Sequence, residues 1–398
     1  FYNSKFLHNE FVSIMKNRIA ILGSTGSIGN TVLDLIDKNN FKVILLSANK
    51  NYKKLLKQAK IFNVRNLIIC DQESYKKSLI YNKDKTIKIK NNFEQLNKII
   101  NKKLDYVMSS ISGIDGLKPT FNIIKFTKKI AIANKESLIC AWPIIKKELN
   151  KNKTDFIPVD SEHFSIWSEI NNTNIKNIKK IYLTASGGPL LNYNFNKKKK
   201  IPRSLIFNHP TWKMGKKITV DSATMMNKCF EVMEAKNIFD LEYDKIDILT
   251  HPDSYVHAVV VYNNGLSKLV VHNTTMKIPI FNTIFTNNQL YTPATMLNLK
   301  KLNNLNLRKI LSAKFPIIKI LKNLPSKHSL FETVIVSVND FFVNEYLQKK
   351  INFQDISRLS LSEINHKRFN RYKRIYPKKI NEVISLNHDI KINLIKST

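Results

Sequence analysis

The chain is poor in acid, nearly free of cysteine and without a long apolar run, and each shortage removes a class of protein. Its three cysteines, Cys70, Cys140 and Cys229, have no CxxC spacing and cannot all pair. That argues against a disulfide framework or a cysteine zinc site, and for a reducing compartment. No apolar run approaches the roughly 20 residues that cross a bilayer. Residues 1–14 have neither the basic start nor the apolar core of a secretory signal, so a soluble, cytoplasmic protein with no membrane partner is expected. Met15 ahead of Lys16-Asn17-Arg18 looks like a natural start, and residues 1–15 are expected to be an extension that need not be native. Thirty Asp and Glu against 65 Lys and Arg leave a formal charge of +35. Gathered on one face, that excess would mark a nucleic-acid or membrane-binding protein. It is not gathered. Lysine is scattered through nearly every segment beside Asn and Ile, the mark of a coding bias, and the one dense run, Lys197 to Lys200, is short and expected to be solvated. No nucleic-acid partner is expected, although an anionic substrate would be steered by such a field.

At 398 residues the chain exceeds one ordinary core, and two or three domains are expected. Arg18-Ile19-Ala20-Ile21-Leu22 reads as a buried parallel strand that runs into Gly23-Ser24-Thr25-Gly26-Ser27-Ile28-Gly29 and then a helix pattern. Strand, glycine-rich turn and helix form the context in which backbone and helix N-terminus cradle a diphosphate. The next strand, Lys42 to Ser47, ends in Ala48-Asn49-Lys50-Asn51. An acidic residue there would bind a ribose 2′-hydroxyl and repel a phosphate. None is present, and Asn49, Lys50 and Asn51 suit the 2′-phosphate of NADPH. Strand and helix patterns go on alternating to Lys129-Ile130-Ala131-Ile132-Ala133, whose carboxyl end presents Asn134-Lys135-Glu136. Such alternation makes a doubly wound parallel sheet with its ligands beyond the carboxyl ends of the strands.

Asp155 to Val159 reads as extended and reaches Asp160-Ser161-Glu162-His163. In an extended chain residues i and i+2 face the same way, so Asp160 and Glu162 would share one space. Two carboxylates there repel unless protonated or joined by a hard cation such as Mg2+ or Mn2+. A D-x-E pair alone is common and needs a third carboxylate to signify. A strand at Ile181 to Ala185 closes in Ser186-Gly187-Gly188-Pro189, a turn able to meet an anion or simply to turn. The densest chemistry lies from His209 to Glu234. Its first half, through Gly215, has no steady period and reads as a mobile loop, with Lys216 to Val220 a possible short strand. Beyond it, Asp221 or Ser222 is placed to cap a helix whose Met226, Phe230 and Met233 form a buried face. Asn227, Glu231 and Glu234 repeat at the same spacing, beside Lys228; by periodicity alone this is a solvated stripe. Tyr255 to Tyr262, Asn263-Asn264-Gly265 and Leu266 to His272 read as a hairpin, with His251 and His257 structural. Residues 286–312 read as a linker, and helical patterns dominate beyond, notably Glu332 to Leu347 and Phe353 to Leu361.

Taken together, the glycine turn, Ala133 to Ser137, Pro158 to His163, Ser186 to Pro189 and His209 to Glu231 resemble, in order and spacing, the 1-deoxy-D-xylulose 5-phosphate reductoisomerase family over residues 16–398. The resemblance implies an α/β chain with an N-terminal Rossmann-like doubly wound parallel sheet that binds NADPH (16–159). A central α+β catalytic and metal-binding domain with a lid loop (160–285) would follow, then the linker and a C-terminal helical domain (313–398). It implies an NADP-dependent oxidoreductase of isoprenoid biosynthesis by the non-mevalonate pathway, and a homodimer. Asp160, Glu162 and Glu231 would hold one Mg2+ or Mn2+, and the catalytic groups would be Lys135, Glu162, His209 and Glu231. Ser161, Ser186, Ser222, Asn227 and Lys228 would surround the phosphorylated substrate, with Lys135, Glu162 and Glu231 at its reacting end. His209, Trp212 and Met214 would close over it. Thr25, Gly26, Ser27, Ile28, Asn49, Lys50, Asn51, Asn134, Glu136 and Gly215 would hold the cofactor. The chain departs from the family pattern at Cys229, where glycine is usual, and at Thr274-Thr275-Met276-Lys277 and Asn339-Asp340. The Rossmann half alone would also permit a plain NAD(P) dehydrogenase, which leaves an unbranched product.

Overall fold

The computed structural model describes residues 16–170, 173–194, 200–285 and 296–397. The expected extension at 1–15, most of the lysine run and the first part of the expected linker (286–295) lie outside them. The first unit alternates strands and helices: β1 (Asn17–Leu22), α1 (Ser27–Leu35), β2 (Phe41–Ala48), α2 (Tyr52–Phe62), β3 (Asn66–Ile69), α3 (Gln72–Tyr81) and β4 (Lys88–Lys90). It continues with α4 (Leu96–Ile99), β5 (Leu104–Ser109), α5 (Leu117–Ile124), β6 (Thr127–Ile132), α6 (Lys135–Asn152) and β7 (Asp155–Pro158). The seven strands pair in parallel in the order β4-β3-β2-β1-β5-β6-β7. Helices cover both faces, and the inner runs such as Ile19 to Leu22 are fully buried, as an apolar parallel strand requires. The order reverses between β1 and β5, so a crevice opens at their carboxyl ends.

Two glycines shape that crevice. Gly23 takes φ +83°, and a Cβ on it would stand 2.8 Å from the Ser110 carbonyl oxygen beyond β5. A Cβ on Gly29 would stand 2.5 Å from Ser24 Cα. Only bare backbone lets α1 start so close to the turn, and no side chain caps its N-terminus at Gly26, which leaves its first N–H groups to a ligand.

The second unit runs α7 (Ser161–Ile170), β8 (Ile178–Ala185), α8 (Arg203–Phe207), α9 (Lys216–Thr224), α10 (Met226–Phe239), β9 (Ile246–Thr250), β10 (Val256–Tyr262), β11 (Ser267–Val271), α11 (Lys277–Ile284), α12 (Leu299–Asn303) and β12 (Arg308–Lys309). Its five-stranded mixed sheet has the order β11-β10-β8-β9-β12, with β10 and β11 forming the expected hairpin. From 296 onward the expected linker carries α12 and the edge strand β12, which pairs with β9.

Two local expectations are corrected. Lys216 to Val220 is the start of helix α9, not a strand: Thr219 donates its N–H to the Gly215 carbonyl at 3.0 Å, and packing overrides the β preference of Ile218, Thr219 and Val220. Asp221 and Ser222 therefore lie inside α9 and do not cap α10. The joint is Met225, left-handed at φ +69°, a conformation that costs a non-glycine residue about 1–2 kcal/mol. It turns α10 so that Met226, Phe230 and Met233 are buried.

The last unit is α13 (Phe331–Leu347), α14 (Phe353–Ile364) and α15 (Ile380–Ser397). Helix α13 is buried nearly all round, packed between α14 and α15 on one side and α6 and α9 on the other. This central helix ties the three units together. The sulfhydryl of Cys229 is fully buried 3.9 Å from the Ile317 carbonyl, so the fold accommodates it there.

Candidate active site

A cavity of about 520 Å³ joins the carboxyl end of the parallel sheet to the mixed sheet. Ser27, Ile28 and Gly215 line it on the side of the glycine turn, together with Lys135, Asp160, Glu162 and Glu231. Asp160 and Glu162 do converge, but not through an extended chain. Asp160 accepts the Phe164 N–H at 2.8 Å through its carbonyl, so the chain is already entering α7 and Glu162 sits in the first helical turn. Glu231 arrives from α10, and one carboxylate oxygen from each of the three lies within 4.8 Å of the others.

Two ammonium groups occupy the space among them. Lys135 Nζ bonds Asp160 Oδ2 and, at 3.0 Å, Glu231 Oε1. Lys228 Nζ bonds Glu162 Oε1 at 2.7 Å, Glu231 Oε2 and the Thr184 carbonyl. Asn227 Nδ2 donates to Glu231 Oε1 at 2.5 Å. Burial opposes ionisation of Glu162, yet the ammonium groups of Lys228 and Lys135 around it outweigh that cost and hold its carboxyl well below the usual range. Burial likewise opposes the charge on Lys228, and Glu162 and Glu231 raise it in spite of that. Behind this layer, His163 Nε2 donates to the Glu231 carbonyl at 2.9 Å. Its Nδ1 lies 3.6 Å from Glu234 Oε2, and burial raises the Glu234 pKa. Glu234 does not line the cavity; it backs the residues that do.

The loop from His209 to Gly215 covers the cavity. His209 Nδ1 accepts the N–H groups of Trp212 at 3.0 Å and Thr211 at 3.3 Å, so the proton of the neutral ring is on Nε2, facing the hydroxyls of Ser186 at 3.1 Å and Ser222 at 3.2 Å. Burial pulls the His209 pKa down to about 4. Protonating Nδ1 would cost the loop both bonds. Because the folded pKa lies below the ordinary value, the unfolded chain takes the proton first; this contribution is present above about pH 6.5 and is lost as pH falls toward 4. The Trp212 emission, isolated by subtracting a Trp212→Phe variant, is expected to shift as pH drops through about 4. In His209→Leu it is expected to have the low-pH form already at neutrality. A flat titration in both proteins would rule this out.

Three family models match the chain: 1-deoxy-D-xylulose 5-phosphate reductoisomerase over residues 19–142, the reductoisomerase C-terminal domain over 156–239, and a second DXP reductoisomerase C-terminal domain over 271–392. The 1-deoxy-D-xylulose 5-phosphate reductoisomerase of Pelagibacter ubique is 54% identical, covering 95% of this chain and 98% of that protein. The chain belongs to this family. The reductoisomerase of a Culex pipiens Wolbachia is 35% identical over 96% of this chain and 98% of its own. A DXP reductoisomerase solved with NADPH, fosmidomycin and magnesium superposes with a TM-score of 0.86 at 28% identity, covering 94% of this chain and 96% of that one. The Zymomonas mobilis reductoisomerase with NADPH gives 0.83 at 29%, with 95% and 98% covered.

As a member of the reductoisomerase family, the chain brings Ser161, Ser186, Trp212, Met214, Ser222, Asn227 and Lys228 to the cavity wall. The expected cofactor residues divide. Asn49, Lys50 and Asn51 are exposed at the end of β2, where Asn51 also caps α2 and Lys54 Nζ reaches the Thr25 carbonyl at 3.4 Å. Lys54 adds a cation to that corner that the motif did not indicate. Asn134 and Glu136 have their side chains engaged in the fold and do not line the cavity. Asn134 caps α6 and donates to the carbonyls of Ile111 and Gly113; Glu136 is paired with Lys217 at 3.0 Å. His257, read as structural, lines the cavity. It donates from Nε2 to the His272 carbonyl at 3.0 Å, lies edge-on to Trp212, and is held neutral by burial, its pKa about 3. No signal in the chain marks it, since a histidine on a strand is ordinarily a core residue.

Proposed function

We propose that Asp160, Glu162 and Glu231 hold one divalent cation and that Lys135 acts beside it in the NADPH-dependent rearrangement and reduction of 1-deoxy-D-xylulose 5-phosphate to 2-C-methyl-D-erythritol 4-phosphate. The supporting observation is the meeting of three carboxylate oxygens within 4.8 Å in the cavity that also reaches the uncapped N-terminus of α1. The oxygens are hard donors of three charges, and their present partners are the ammonium groups of Lys135 and Lys228, so the donor set fits Mg2+ or Mn2+. Bound there, the cation supplies Lewis acidity to substrate oxygens on which charge develops. NADPH supplies the reducing equivalents.

The chain's own residues do the rest. Ser186, Ser222, Asn227 and Lys228 take the phosphate, with His209 aligning the two hydroxyls; phosphate binding remote from the reacting carbons orients them. Lys135 and Ser161 meet the reacting oxygens, where the ammonium stabilises developing negative charge. Glu162, kept ionised by Lys228 and Lys135, acts with Glu231 at the reacting end. Trp212, Met214 and the rest of the His209 to Gly215 loop exclude water from the aldehyde. Thr25, Gly26, Ser27 and Ile28 receive the diphosphate, Asn49, Lys50 and Asn51 the 2′-phosphate, and Gly215 borders the nicotinamide end. Asn134 and Glu136 shape the floor beneath.

The division 16–159, 160–285 and 313–398 into NADPH-binding, catalytic and helical domains is part of the same proposal, supported by the two separate sheets. A cytoplasmic setting is supported by three free cysteines. No helix among the described residues is long and apolar enough to cross a membrane. A homodimer is supported by the exposed apolar side chains Leu266 and Leu269 at the edge strand β11. The deciding experiment follows NADPH oxidation with 1-deoxy-D-xylulose 5-phosphate. Turnover is expected with added Mg2+ or Mn2+ and not with a chelator, with a branched product; turnover in the chelator, or an unbranched product, would sink the proposal.

A further inference from the structure

The helix that carries Lys135 is not straight. Helix α6 leaves helical geometry at Ala141, with φ −134° and ψ 19°, and contains Pro143 two residues on. Pro143 has no N–H to offer the Ile139 carbonyl, and its ring crowds that position. Leu138, Ile139 and Cys140 are fully buried, so water does not reach the carbonyls at the bend, and that of Ile139, which Pro143 cannot serve, needs a partner from elsewhere in the protein.

The partners come from other elements. Asn237 of α10 donates from Nδ2 to the Leu138 carbonyl at 3.0 Å and to the Ile139 carbonyl at 3.4 Å. His328, ahead of α13, bonds the Cys140 carbonyl through Nε2 at 3.4 Å. Lys217 of α9 grips Glu136, the neighbour of Lys135, while also pairing with Asp221 at 3.3 Å and Asp340 at 2.9 Å. The first turn of α6 is thus a separately oriented unit, and its direction is set by the bonds on its carbonyls. Helix α10 supplies both Asn237 and Glu231, and Glu231 Oε1 accepts from Lys135. One helix therefore holds the Lys135 turn at its back and meets the Lys135 ammonium at its front.

We propose that Asn237 is a positioning residue for Lys135: by holding the carbonyls released at the α6 bend, its amide fixes the first turn of α6 and so the place of the ammonium beside Asp160 and Glu231. Asn237 does not line the cavity. The inference rests on the role given to Lys135 above.

The test is a double-mutant cycle on the full-length protein with saturating metal and NADPH. Asn237→Leu, similar in size and without a donor, is expected to lower kcat about tenfold while KM for NADPH stays within about twofold. Asn237→Gln, which keeps the amide, is expected to recover most of the loss. In a Lys135→Gln background, Asn237→Leu is expected to cost less than about twofold more, because no ammonium remains to be placed. The same tenfold loss in both backgrounds would mean a merely structural role and overturn the inference. If Asn237→Leu does not fold, Asn237→Ser, which leaves room for a water at the carbonyls, takes its place with the same expected factors. An unchanged kcat in Lys135→Gln alone would overturn the reading of Lys135 itself, a result distinct from failure of the cycle.

Discussion

Glu231→Gln is expected to lower turnover by about a thousandfold or more and leave the protein folded. Glu231 is 1% exposed, and its Oε1 and Oε2 are shared among Lys135, Lys228 and Asn227. The amide keeps the volume and one acceptor oxygen, so the packing is retained and the protein stays folded although one of the two ammonium groups loses its acceptor. What it loses is one of three negative charges gathered within 4.8 Å, and a divalent cation held by two carboxylates is bound more weakly than one held by three. The check is a metal titration followed by calorimetry beside turnover at each metal concentration. Near-normal turnover in the variant at ordinary metal concentration would remove Glu231 from the ligand set.

Lys228→Met is expected to weaken the fold by about 3–5 kcal/mol in the presence of a chelator, and to recover part of that loss when Mg2+ is added. The ammonium of Lys228 is 5% exposed and lies between Glu162 at 2.7 Å and Glu231. Methionine fills similar space but leaves Glu162 without its ammonium partner and Glu231 with Lys135 alone, so the two carboxylates face each other undercompensated. A bound dication would relieve that repulsion, so added metal stabilises the variant more than it stabilises the parent. Denaturant unfolding of both proteins with Mg2+ and with chelator measures the difference. Equal responses to Mg2+ would show that the cation does not sit against these two carboxylates.

Much of the first unit could be read directly from the chain. Ile19 to Leu22 followed by three glycines within seven residues implied a buried strand, a tight turn and an open helix N-terminus, and the structure has all three. These are short-range statements, governed by sterics and burial over a few residues. The short strand β4 and the small helices α3 and α5 gave no readable pattern, because runs of three to ten residues with mixed burial carry too little period. At the site, Asp160 and Glu162 were placed together for the wrong local reason, since α7 begins at Ser161. The strand expected at Lys216 is a helix, because packing against α8, α10 and α13 decides it. His257, which reads as structural in the chain, lines the cavity, and Lys54 carries no motif, because both owe their places to partners distant in the chain.

The stretch from His209 to Glu234 shows the division most clearly. By itself the sequence determined its buried face, Met226, Phe230 and Met233, and the loop before it, because periodicity and its absence are local properties. It also carried the order of motifs by which the family is known. The chain alone left Asn227, Lys228 and Glu231 as an ordinary polar stripe. Only the tertiary structure decided otherwise, by bringing Glu231 to Lys135, 96 residues away, and Lys228 to Glu162, 66 residues away. Buried charges gain their function from partners across such distances, and no local pattern records where those partners will be.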